Sequence, residues 1–357
     1  MPRFGKRTWL TEFLRSNACQ PAPSSRNYEA VVEEGLLISA ETGRWYPIRN
    51  FIPELLPDHL RNFERDLEFL SGLRTFLPPA LFERLHDLTL FSERADEHEA
   101  GGAYKRAEMA VASKVDDPSF FGPGYIAPFN PGDPIHTIHL IRLFSFCLPL
   151  LLKNWPNQVV LDAGCGYSWT TEWLLKIGFE PIGVDITRTY LDIAVSRLGA
   201  WLPHLVLADT ENLPIRDSIV DAILCYEAFH HIPDRNTAMK QFFRVLKPGK
   251  SVILAEPGAD HEFLKTSVDI MARFGILERG MSFGDVRNYV KGSGLRTPVQ
   301  HHILEMDSSS AAKASLTDEF LAEHGFRATN LYTIDRPLRT VTERAKSAMR
   351  RMGFFPK

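Results

Sequence analysis

Cysteine is scarce in this 357-residue chain: Cys19, Cys147, Cys165 and Cys225, with no CxxC pair among them. That argues against a disulfide framework and a cysteine zinc site, and makes a reducing cytoplasm the expected setting. A surplus of charge is missing too. There are 41 Lys and Arg against 44 Asp and Glu, a net charge of −3, so bulk electrostatics do not draw the chain to nucleic acid. No apolar run is long enough to span a bilayer; the greasiest, Ile138 to Leu152, contains Arg142 and Pro149. The basic start (Arg3, Lys6, Arg7, Arg15 and Arg26 against Glu12) leads into no apolar core. This is not a secretory signal; a frayed tail and an organellar transit peptide are the readings left.

What is present is an ordinary globular balance, 44% hydrophobic and 24% charged, organised around Val159 to Asp185. Val159, Val160 and Leu161 read as a buried parallel strand running into Asp162 and a glycine turn. Gly164 and Gly166 flank Cys165, which lets the backbone turn sharply against a ligand. Ser168 or Thr170 can cap a helix over 170–177 that ends at Gly178. A second strand, Pro181 to Val184, delivers Asp185, 19 residues after Gly166. In a doubly wound sheet an acid there meets ribose hydroxyls. A dinucleotide site of the GxGxxG kind needs a third glycine, and this chain has Trp169 in its place.

Before this unit, Leu36–Ile38, a turn at ETG and Trp45–Ile48 predict a β-hairpin. Residues 58–116 carry apolar positions such as Phe63, Leu67 and Leu70 at helical spacing, with Pro78–Pro79 as a divider. A Pro- and Gly-rich loop over 116–134 precedes a helix over 135–152, where His136 and His139 share a face. After Asp185 come a helix over 187–202 and a strand over 205–208 ending at Asp209. A strand over 221–225 exits through Tyr226 and Glu227 to His230 and His231; a helix over 236–246 and a strand over 251–255 follow. Neither histidine pair forms a complete ligand set, so no metal is expected.

Five ordered pieces, LDAGCG, GVDIT, LADTENLPIRD, CYEAFHHIPD and RVLKPGK, together resemble class I S-adenosylmethionine-dependent methyltransferases of type 11, over roughly residues 135–258. The resemblance implies an α/β, Rossmann-like, doubly wound and mainly parallel seven-stranded sheet, and S-adenosyl-L-methionine as cofactor. By the same resemblance Asp185 accepts from the ribose and Ile186 lies against adenine. Asp209 accepts from the adenine amino group beside the Thr210 amide. Asp162, Gly164, Cys165 and Gly166 surround the methionine moiety, and the Cys225 carbonyl faces its amino-acid end. Cys165 reads as a small residue filling a tight turn. The phrase ETGRWYPIRNFIPELL is similar to a small zinc-ribbon-like module that accompanies many methyltransferases, but the cysteine ligands are absent. A degenerate structural version and an unrelated hairpin are both open readings.

Glu227, His230 and His231 are candidate catalytic bases, because a hydroxyl or amine acceptor must lose a proton near this strand exit. Strand four ends CYEA rather than NPPY or DPPY, which weakens a nucleobase-amine substrate. The implied domains are a flexible basic N-terminus (1–27), the hairpin module (28–58) and a helical linker with loop (59–134). The methyltransferase domain (135–335) follows, with a lid or substrate region at 259–300, and then a basic tail (336–357). Two stretches, 283–304 and 317–334, compete to supply the last helix and strand. The expected function is methyl transfer to a small-molecule or lipid- or sugar-linked acceptor. An RNA methyltransferase and a non-catalytic methyltransferase-like binding subunit are the alternatives. The basic tail offers a contact to an anionic membrane surface or partner.

Overall fold

The computed structural model describes residues 9–10, 19–20, 31–39, 43–92, 101–111, 126–132, 134–152, 158–199, 204–301 and 329–337. The N-terminal part begins with three two-residue strands, β1 (Trp9–Leu10), β2 (Cys19–Gln20) and β3 (Val31–Val32), of which β2 and β3 pair with each other. The predicted hairpin follows as β4 (Gly35–Ser39) and β5 (Trp45–Arg49), flanked by β1 and by β6 (Ile52–Pro53). Every residue of β4 is buried: α1 (Phe63–Gly72), its C-cap Leu73 and α2 (Pro79–Ser92) pack Leu70, Leu73 and Leu85 against Leu36, Ile38 and Trp45, while Leu37 joins the core of the main sheet. The Trp45 indole donates to Thr89 Oγ1 at 2.8 Å, which satisfies its one polar group. Asn62 caps α1 by accepting from the Arg65 amide, and Pro79 opens α2, where a missing N–H costs nothing. Two more helices precede the main sheet, α3 (Gly102–Val111) and α4 (Pro134–Leu151).

Seven strands form the main sheet: β7 (Val159–Ala163), β8 (Glu180–Asp185), β9 (His204–Leu207), β10 (Val220–Tyr226), β11 (Leu246–Pro257), β12 (Val299–His301) and β13 (Thr329–Asp335). Their order is β12-β13-β11-β10-β7-β8-β9. The run from β11 to β9 is parallel, while β13 pairs antiparallel with both β11 and β12. The chain order reverses at β7, between β10 and β8, and in such sheets that switch point is where ligands bind. The connecting helices are α5 (Trp169–Ile177), α6 (Arg188–Leu198), α7 (Arg235–Val245), α8 (Lys265–Phe274) and α9 (Phe283–Val290). Of the two stretches competing for the end of the sheet, the first supplies α9 and β12 and the second supplies β13. The helix predicted within 317–326 lies outside the described residues.

The hairpin module covers the β9 edge. Glu54 bridges Leu207 in parallel, and the Leu55 amide donates to the Leu207 carbonyl at 2.7 Å, so an edge that would otherwise expose unpaired backbone is sealed. Buried Arg49 bonds Asp66 at 2.8 Å and pairs with Glu54, which also pairs with Arg188 at the start of α6. This ties the module to the sheet through charge as well as backbone.

Arg336, expected to begin a solvated basic tail, is buried instead. Its guanidinium bonds the Ser218 hydroxyl and the Leu246 carbonyl and lies 4.3 Å over the Phe243 ring. The positively charged residues from Arg339 onward lie outside the described residues, as does most of the basic N-terminus. None of the described helices is long and apolar enough to cross a membrane.

Candidate active site

A cavity of about 430 Å³ opens at the carboxyl ends of β7, β8 and β10, walled by α3, α4 and the segment around α8. That volume is in the range that holds a cofactor-sized ligand. Its floor is the glycine turn. Gly164 has φ +77°, and a Cβ there would stand 2.4 Å from the Ala228 Cβ, so only glycine lets the β10 exit approach this closely. Gly166 has φ +49° with open space above it, and its amide donates to Asp185 Oδ2 at 2.8 Å. Asp185 Oδ1 accepts from the Thr187 amide at 2.7 Å. Each carboxylate oxygen takes one backbone donor and keeps capacity for another. Turn and acid therefore hold each other at the cavity, with Ile186 beside them.

Three expectations near this turn need correction. Neither Ser168 nor Thr170 caps α5 by its side chain: Ser168 sits at the cap position in the left-handed region and donates to Cys165 Sγ, while Thr170 donates to Asp162. Asp162 does not reach the cavity. It is 1% exposed, and its Oδ2 accepts 2.6 Å bonds from both the Thr170 and Thr171 hydroxyls, tying β7 to the first turn of α5. Cys225 is fully buried among the side chains of the core and does not line the cavity; β10 runs one residue further, to Tyr226. Cys165 does line it, but burial pushes its thiol well above the ordinary range, as befits a packing residue.

Burial raises the Asp162 carboxyl to about 6 against the two threonine hydroxyls, and raises Asp185 to about 6 against its two amides. Both folded values exceed the unfolded value of 3.8. The native state then holds more protons, and stability present below about pH 4 is lost as pH rises through about 6. Asp162→Asn is therefore expected to gain stability relative to wild type between about pH 4.5 and pH 7. Denaturant midpoints of both proteins at the two pH values check this; a difference independent of pH overturns it.

Asp209 and Thr210 line the cavity at the end of β9. Asp209, however, already accepts from Lys105 Nζ at 2.8 Å and from the Glu211 amide at 2.9 Å. Lys105 comes from α3, is almost fully buried, and also pairs with Glu211 at 2.6 Å. Burial lowers its pKa, but Asp209 and Glu211 outweigh that and raise it, so it stays charged. Any acceptor role of Asp209 is shared with this lysine. A lysine at a buried position of a short amphipathic helix was the only local sign, and it names no partner 104 residues away.

Glu227, His230 and His231 all line the cavity, but in different settings. Glu227 follows β10 in the left-handed region, φ +49°. His230 is 4% exposed, and its Nδ1 lies 2.8 Å from Glu256 Oε2. Burial and the neighbouring His231 hold its pKa well below the usual value. His231 is half-buried, with Nδ1 donating to the Leu277 carbonyl at 2.6 Å; burial lowers its pKa, while Glu108 and Glu278 outweigh that and raise it. Two arginines clamp the turn from behind. Arg235 donates to the His230 carbonyl at 2.9 Å and to that of Arg279 at 2.6 Å, and Arg279 donates to the Ile232 and Pro233 carbonyls. The excursion that carries α8 begins and ends at a bridge between Gly258 and Met281. It brings His261 and Glu278 into the same corner, although nothing in their local sequence marked either residue. Burial raises Glu278, but His231, the His261 hydrogen bond and His230 prevail and hold it at about 2.

Residues 161–254 match the family described as a methyltransferase domain. The chain is 30% identical over 147 residues to an O-methyltransferase from Penicillium expansum, covering 39% of this chain and 52% of that protein. It is 26% identical over 192 residues to a ubiquinone biosynthesis O-methyltransferase from Coxiella burnetii (strain Dugway 5J108-111), covering 50% of this chain and 81% of that one. The chain thus spans about half the length of the first of these relatives. A solved structure of a geranyl diphosphate C-methyltransferase from Streptomyces coelicolor A3(2) is similar with a TM-score of 0.47 and 16% identity, over 66% of this chain and 98% of the other. The matched residues do not reach the hairpin module, whose likeness to a zinc ribbon rests on its YPI and IP residues alone.

Proposed function

We propose that this chain, whose residues 161–254 match a methyltransferase domain, transfers the methyl group of S-adenosylmethionine to a small-molecule or lipid- or sugar-linked acceptor. The observation that carries the reading is the Gly166–Asp185 hydrogen bond, which joins the glycine turn to the acid at the cavity. The residues present fit the cofactor. Asp185 has acceptor capacity for a ribose diol, Gly166 leaves open space for the methionine end, and Thr210 with Asp209 borders the adenine end. Bound there, the cofactor supplies a sulfonium methyl already activated for displacement.

The chain's own task is then to bind, orient and exclude water. Holding donor and acceptor in line contributes on the order of 7–11 kcal/mol in the best cases. Residues of α3, α4 and α8 line the cavity, which remains partly open. Glu227 and His231 stand where a hydroxyl or amine would give up its proton. The cytoplasm as site of action belongs to the same proposal.

Calorimetry tests the cofactor. S-adenosylhomocysteine should bind, NAD much more weakly, and Asp185→Ala should weaken the former by about 1–3 kcal/mol, the scale of a hydrogen bond to a charged group. NAD binding more tightly than the sulfur nucleoside overturns the reading. Mass spectrometry of metabolites from cells with and without the gene, searched for a missing methyl increment, identifies the acceptor. A loss seen in RNA instead would favour the polymer substrate.

A further inference from the structure

The corner that holds the two histidines contains a ligand set that the sequence spacing did not show. Glu256 is fully buried and accepts from the amides of Ala228 at 3.1 Å, Phe229 at 2.8 Å and His230 at 3.3 Å. In the tautomer whose Nδ1 donates to the Glu256 carboxylate 2.8 Å away, His230 Nε2 carries a lone pair. That lone pair faces Glu278 Oε2 across 3.7 Å. Two electron-rich atoms directed at each other repel unless a proton or a cation stands between them. His261 Nε2 lies 2.6 Å from the same Glu278 oxygen, and one donor atom from each of His230, His261 and Glu278 lies within 4.8 Å of the others.

We propose that His230, His261 and Glu278 bind a divalent transition-metal ion of the zinc or cobalt class. Two imidazoles and one carboxylate suit such ions better than magnesium or calcium, which take oxygen ligands. Metal–ligand distances of about 2.0–2.2 Å require the His261–Glu278 contact to open by several tenths of an ångström. The Nε2 proton of His261 leaves to solvent as its lone pair turns to the metal. Glu256 behind His230 is the outer carboxylate that orients a metal-bound imidazole and raises its basicity. The three ligands come from the β10 exit and from two points of the excursion around α8, so the ion also joins these walls.

Three protein ligands leave at least one position open, and all three residues line the cavity. An acceptor oxygen fits that position, which narrows the acceptor to a molecule with a hydroxyl, alone or beside a second oxygen. This part rests on the methyltransferase reading above. The coordinated hydroxyl loses its proton to Glu227 or His231, its oxygen bonds the methyl carbon, and the electron pair of the breaking C–S bond stays on sulfur.

The test is metal binding, read apart from activity. Full-length protein is stripped with chelator, dialysed, and titrated with Co²⁺ under visible absorption and with Zn²⁺ by calorimetry. One ion per chain is expected, with ligand-field bands, and at least tenfold weaker binding in both His261→Ala and Glu278→Gln. Should Glu278→Gln fail to fold, His261→Ala decides, since the His261 side chain lies near the surface. No saturable binding, or binding unaltered by His261→Ala, overturns the proposal. S-adenosylhomocysteine affinity of the stripped wild type is measured in parallel, so that failure of the metal site and failure of the cofactor reading are told apart.

Discussion

Glu256→Ala is expected to lose about 3–5 kcal/mol of folding stability, because several buried donors lose their acceptor at about 1–3 kcal/mol each, less what relaxation recovers. The carboxylate sits at the end of β11 with no exposed surface and serves three amides of the Ala228–His230 turn together with the His230 ring. Its removal strands four donors in a site closed to water, and each buried donor left unpaired costs about 1–3 kcal/mol before relaxation. Equilibrium denaturation of wild type and variant measures the loss. A cost below about 1 kcal/mol would mean that the turn is held by the Arg235 and Arg279 clamps alone. Glu256→Gln is the instructive companion. It keeps the shape and one acceptor oxygen but turns an NH₂ toward donors, so it should fall between wild type and alanine.

The second large effect is on turnover. Replacing the true base should lower it by about 10²–10⁴ while leaving S-adenosylhomocysteine affinity nearly unchanged. The three candidates are now separable by their surroundings. His230 is buried with Nδ1 committed to Glu256, so His230→Asn should lower the melting temperature as well as activity. His231 and Glu227 also line the cavity, and under the proposed function the loss of turnover should fall on His231→Asn or Glu227→Gln without loss of fold. Turnover, cofactor affinity and melting temperature for all three variants distinguish these cases. If both His231→Asn and Glu227→Gln keep near-normal turnover, no base operates on this segment, and alignment of donor and acceptor carries the rate.

Much of this protein was legible residue by residue because the deciding interactions are local. The run from Val159 to Asp185 folds as strand, turn, helix and strand. Its apolar residues suit a buried strand, two glycines take positive φ, and Gly178 ends α5 in the left-handed region. Asp185 is reached by the Gly166 amide for the same reason: adjacent parallel strands β7 and β8 must end side by side. The hairpin at β4 and β5 and the proline-started helices α2 and α4 are equally local.

Side-chain direction at the strand ends was not legible. Successive residues of a strand face opposite sides, and which side becomes cavity depends on what packs there. Asp162 therefore supports α5, and Cys225 enters the core, although both lie within a residue or two of positions that do line the site. Nor could spacing show that Lys105 on α3 reaches Asp209, that β13 slots between β11 and β12, or that His230, His261 and Glu278 converge. The sequence by itself determined the buried strands, the glycine turn and the acid that follows the second of them, since propensity, periodicity and turn chemistry act over a few residues. Only the tertiary structure decided the buried Lys105–Asp209–Glu211 charge cluster and the meeting of His230, His261 and Glu278 at the cavity. Those depend on chain segments far apart in sequence, brought together by packing against a shared core.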